Sequence, residues 1–144
     1  MKPNELMIGD WLWYQGRANA FPFRVEQLTK KKVGYHAVPC ECWMHYLRLS
    51  ECQPIAVTSD ALERNGFRKQ DMANPRIEGQ HQFAFWQNMS TSVCLWTREL
   101  HDDPKDGWML RIDSASLSVT MAVRYIHQLQ HALRLCGIEK EIAL

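Results

Sequence analysis

Four side chains within ten residues carry the donor types of a tetrahedral zinc site: His36, Cys40, Cys42 and His45. Thiolate sulfur and imidazole nitrogen are the usual ligands of that ion. Their spacing argues the other way. Cys40 and Cys42 form a Cys-x-Cys pair, not Cys-x-x-Cys, and on a strand both thiols point to one face. The plainer expectation is thiols acting as small hydrophobes in a strand, with no metal and no cofactor. His127 and His131 lie four apart, so on a helix they share a face. No Glu follows His127, which removes the His-Glu-x-x-His hydrolase pattern. With Arg124, Arg134 and Leu135 they form a helix face whose plainer reading is a solvated polar surface and whose sharper readings are a partner-binding face or, for the His pair, a metal site. His101, Asp102, Asp103 and Asp106 gather oxygen and nitrogen donors in one stretch but lack calcium-loop spacing. No nucleophile elbow, phosphate loop or dinucleotide fingerprint occurs, so no catalytic residue is assigned and an enzyme is not expected.

Six tryptophans are the chain's compositional oddity. Trp11 and Trp13 fall on one side of a strand, with Leu12 and Tyr14 on the other. A small barrel cannot bury both sides in its own core, so these rings either pack between the two lobes, the plainer expectation, or stand exposed. With Arg24 and the tract Lys30, Lys31, Lys32 they make a candidate nucleic-acid surface of stacking rings and cations. Gln128 and Gln130 could cap backbone groups or read bases through their amides, and the structural use is the expectation.

The elements that would position these residues follow from turn signals and periodicity. Residues 1–56 hold four or five short strand-like runs between tight turns, the pattern of an SH3-like curled sheet or small barrel. Residues 57–144 read as an α+β lobe. Thr58 is a helix N-cap, Asp60 suits the first turn, and Gly66 is a C-terminal stop, which predicts a helix over 59–65. A hairpin and a third strand follow within 81–113. Ala122, Ile126, Leu129, Leu133 and Cys136 recur at helical spacing, predicting a long helix over 120–136 that packs on the second sheet. The closing residues EKEIAL read as a short edge strand. The fold class is therefore α+β, with two lobes forming one compact body.

Three segments carry a family resemblance: NELMIGDW, PIAVTSDALERNGF and VRYIHQLQHALRLCGIEKEI. In this order they resemble a protein family encoded mainly by gut-type Bacteroidetes bacteria and partly by their phages and mobile elements. The matching positions are Ile8, Gly9 and Asp10; Pro54, Ile55, Thr58, Leu62, Gly66 and Phe67; and Tyr125, His127, Gln128, Leu129 and Gln130. Val57 departs from the pattern, which has Leu there. The resemblance implies a related fold and a cytoplasmic setting, and no activity.

Composition bounds the rest. The chain has 144 residues, 46% of them hydrophobic and 23% charged, the balance of a globular domain. No apolar run reaches the roughly 18 residues of a membrane span, and the N-terminus lacks the apolar core of a signal peptide. Five cysteines without an export signal are expected to be free thiols. Net charge is +1, so any nucleic-acid contact must come from a local basic face. The leading expectation is a non-enzymatic phage or mobile-element accessory protein that binds another protein. The second is a nucleic-acid-binding module using the first lobe, and the third a small metal-dependent enzyme. Oligomeric state is not encoded in any pattern of the sequence.

Overall fold

A computed structural model describes residues 3–16, 19–38, 42–71, 81–88, 90–96 and 107–144. The chain divides into two units, Met1–Ile55 together with Leu144, and Ala56–Ala143. The architecture is mostly antiparallel sheet with a few short helices.

In the first unit, β1 (Trp11–Gln15) pairs with β2 (Ala20–Arg24) and β6 (Cys52–Pro54). β3 (Gln27–Leu28), β4 (Lys32–Tyr35) and β5 (His45–Arg48) form a second three-stranded sheet. The two sheets contribute to one apolar cluster that includes Leu12, Phe23, Val25 and Val33, with Tyr14, Phe21 and Tyr35 packed against it. Strand alternation explains the membership. Leu12 and Tyr14 face this core, and Trp11, Trp13 and Gln15 face away. Entry into β1 is set by Gly9 at φ +93° and by buried Asp10, whose carboxylate accepts from Met7 N at 2.7 Å.

The second unit holds α1 (Ser59–Arg64), a five-stranded antiparallel sheet and α2 (Ile126–Leu135). Its strands are β7 (Arg68–Asp71), β8 (His81–Asn88), β9 (Thr91–Trp96), β10 (Trp108–Asp113) and β11 (Ser118–Val123), each paired with the next in sequence. In α1 the Thr58 hydroxyl accepts from Ala61 N at 3.2 Å. At its other end Gly66 takes φ +77°, Gly66 N donates to Glu63 O, and Phe67 N donates to Leu62 O. These two bonds satisfy carbonyls the helix leaves open, and only the left-handed residue between them permits both. Thr58→Ala should cost about 1 kcal/mol, read from the shift of the urea unfolding midpoint; a shift equivalent to less than roughly 0.3 kcal/mol would mean the cap bond contributes nothing.

The long helix expected over 120–136 is corrected. Residues 118–123 are the edge strand β11, and the helix spans only Ile126–Leu135. Val119, Thr120 and Val123 are β-branched, and β11 finds a partner in β10 through Trp108↔Val123, Leu110↔Met121 and Ile112↔Val119. Ala122, which completes the apparent stripe, is a strand residue opposite Met109. Gln128 starts the helix: its Oε1 accepts from Arg124 N at 2.8 Å and Tyr125 N at 3.2 Å.

The C-terminal residues do not form the expected strand. Two side-chain amides hold them instead. Gln130 donates to Lys140 O and accepts from Ile142 N, and Asn65 donates to Ala143 O and accepts from Ala143 N. Each amide gives the tail one donated and one accepted bond, as a neighbouring strand would. No helix among the described residues is long and apolar enough to cross a membrane.

Candidate functional site

The β3–β4 connection is a tight turn. Thr29 N donates to Lys32 O at 2.9 Å, and Lys32 N donates to the Thr29 hydroxyl at 3.0 Å. This closure places Lys30 and Lys31 at the tip, exposed. Leu49 N donates to Lys31 O at 2.9 Å, tying the tip to the short turn after β5. Between tip and turn lies an open hollow of about 540 Å³, lined by Lys30, Lys31, Lys32, Arg48, Ser50 and the apolar edges of Pro3 and Leu49. The described residues lining it include no carboxylate.

Lys32 and Arg48 also line a second hollow of about 860 Å³, with Tyr14, Gln15, Tyr46 and Glu51. The shared residues have a simple origin. Lys32 and Arg48 are directly opposite each other across β4 and β5. Like charges at that separation oppose strand pairing. Among the described residues, neither cation, nor Lys30 or Lys31, has a carboxylate within ion-pair distance. Four cations held this way form a local positive field in a chain of nearly balanced charge. Gln15 extends the row of Trp11 and Trp13 along the outer face of β1 and lines the second hollow, and it accepts from Gln53 Nε2 at 2.9 Å.

The sequence-assigned nucleic-acid residues therefore occupy two places in the first unit. Lys30, Lys31 and Lys32 line the first hollow, and Lys32 lines the second as well. Trp11, Trp13 and Arg24 lie on the outer face of the other sheet, Trp11 opposite Arg24 and Trp13 opposite Pro22. Trp13 is 37% exposed, and the Arg24 guanidinium donates to Gly9 O. Arg48 and Tyr46 were missed by reading the sequence. Their signal was the alternation in HYLRL, which sends Leu47 inward and Tyr46 and Arg48 outward.

The zinc candidates are not drawn into a cluster among the described residues. Cys40 lies outside those residues. His36 Nδ1 is engaged by Glu26 Oε2, His45 packs its ring 5.5 Å from Tyr35, and Cys42 is an exposed thiol. The hydrogen bond from His36 holds the Glu26 carboxyl below the ordinary carboxylate range. A carboxyl with a depressed folded pKa stabilises above its unfolded value, and that contribution is lost as pH falls through the folded one. Glu26→Gln should thus flatten the acid limb of the stability curve below about pH 5, by a small amount because the pair is partly exposed. Urea denaturation across that range checks it; an unchanged acid limb would contradict it. The stretch holding His101, Asp102, Asp103 and Asp106 lies outside the described residues.

On α2, His127 is only 4% exposed and stacks on Tyr125 with ring planes 10° apart. His131 meets His127 edge-on at 5.8 Å, and Arg124 lies over the Tyr125 ring. These residues form a row in which His127 points inward. Arg134 is half-buried, and Leu135 is 79% exposed.

Comparison with protein-family models, with curated proteins and with solved structures found no match to this chain.

Proposed function

We propose that the first unit is a non-enzymatic binding module for a polyanion of the nucleic-acid type, held through phosphates by Lys30, Lys31, Lys32 and Arg48. The observation that carries this reading is the Lys32–Arg48 pair. Like charges set opposite each other, without a carboxylate partner among the described residues, oppose folding and favour an anion. The outer face with Trp11, Trp13 and Arg24 supports the same reading, since Gln15 carries that row into the second hollow. The shared core of the two small sheets supports an SH3-like barrel as the scaffold. The free thiols of Cys42, Cys52, Cys94 and Cys136 support a reducing, cytoplasmic setting. The sequence resemblance supports a phage or mobile-element context.

A protein partner is the second reading, favoured by Leu135, which presents most of its apolar surface beside half-buried Arg134. An affinity pull-down from bacterial lysate, split into nuclease-treated and untreated halves, separates the two. Recovered nucleic acid and companions lost on nuclease treatment support the first reading. A companion that survives nuclease, with no nucleic acid in the untreated half, contradicts it and moves the function to α2.

A further inference from the structure

Phosphate contacts alone serve a duplex and a single strand equally well, whereas an exposed ring among cations selects unpaired bases. Tyr46 is such a ring. The register pairs Gly34 with Tyr46 and Lys32 with Arg48, so all four residues share the outer face of the β3–β4–β5 sheet. Val33 and Leu47 take the inner face. Tyr46 is 50% exposed, on a face it shares with exposed Lys32 and Arg48. Its hydroxyl donates to Gln27 Oε1, which fixes the ring at its rim. Gly34, opposite the ring, has no side chain to cover it. A Cβ there would lie 2.6 Å from Met44 Sδ and 3.1 Å from Gln27 Cβ, so the Met44 thioether occupies that place. Lys32 and Arg48 stand two residues further along the two strands, on the same face as the ring.

We infer that the ligand of this site is a single-stranded nucleic acid, with an unpaired base stacked on Tyr46 and the adjoining phosphates held by Lys32 and Arg48. The inference rests on the polyanion reading above and adds the base to it. Stacking on a fixed aromatic ring is tolerant of base identity, because every base has a π-face. The recognition is therefore strand-selective and weakly sequence-selective.

The test is a low-salt anisotropy titration with three labelled probes of about twelve nucleotides or base pairs: oligothymidylate, an abasic deoxyribose-phosphate strand, and a duplex. Wild-type protein should bind oligothymidylate about tenfold more tightly than the abasic strand. Tyr46→Ala should bring oligothymidylate down to the abasic level while leaving abasic binding unchanged. Tyr46→Phe, which keeps the ring and loses only the bond to Gln27, should stay within about threefold of wild type. Equal wild-type affinity for oligothymidylate and the abasic strand overturns the inference and leaves the polyanion reading standing. So does a base preference that survives Tyr46→Ala. Failure of all three probes to bind overturns both.

Discussion

Replacing Trp108 by alanine should lower the unfolding free energy by about 3–5 kcal/mol. Trp108 is 2% exposed, meets Phe83 edge-on at 5.4 Å, and donates from Nε1 to Val57 O at 2.9 Å. Alanine would leave a cavity and also strip the donor from a carbonyl whose residue is itself buried. Trp108→Phe separates the two contributions. It keeps most of the ring volume and loses the hydrogen bond, so about 1–3 kcal/mol is expected. Urea denaturation of the three proteins checks both values. A Trp108→Ala protein within about 1 kcal/mol of wild type would mean that the ring packs loosely.

Lys32→Glu should move stability and binding in opposite directions. Glutamate at that position stands opposite Arg48 and turns a like-charged pair into an opposite-charged one. The expected gain in folding stability is about 0.2–1 kcal/mol. On the proposed reading the same change would remove one phosphate contact, and it places a carboxylate among the residues lining both hollows. Affinity for a single strand should fall by roughly tenfold or more at low salt. Thermal unfolding and anisotropy titration on the same preparation read the two effects. A residue that served only the fold would lose or gain both together. A more stable protein that binds as well as wild type would show that Lys32 faces no ligand.

Much of the fold was readable where local chemistry and tertiary packing agree. Thr58, Gly66 and Phe67 mark the ends of α1 through bonds made within a few residues. Trp108, Leu110 and Ile112 alternate with Met109, Arg111 and Asp113, and burial in β10 follows that alternation. Legibility failed where a pattern fitted two answers. The run from Val119 to Val123 has apolar residues that continue the helical stripe of α2, but its β-branched residues suit a strand. Pairing with β10 decided the matter, and that partner lies outside any local window. β7 is the polar run RKQD, which no periodicity marks as a strand. At the candidate site, Lys30–Lys32 stood out as a charge run, whereas Arg48 joins them only through strand register. Tyr46 stayed hidden because a tyrosine in a strand is ordinarily read as half-buried packing. Gln130 could be read as a structural amide, but not as the residue that holds Lys140 and Ile142.

The salt dependence of single-strand binding tests the central claim most directly. Anisotropy titrations of wild-type protein at several salt concentrations give the slope of log affinity against log salt. Four cations, Lys30, Lys31, Lys32 and Arg48, each meeting one phosphate, predict a slope of about −3. Lys32→Glu should make that slope shallower by about 0.7 or more. A wild-type slope near zero, or no binding at the lowest salt, would contradict the account.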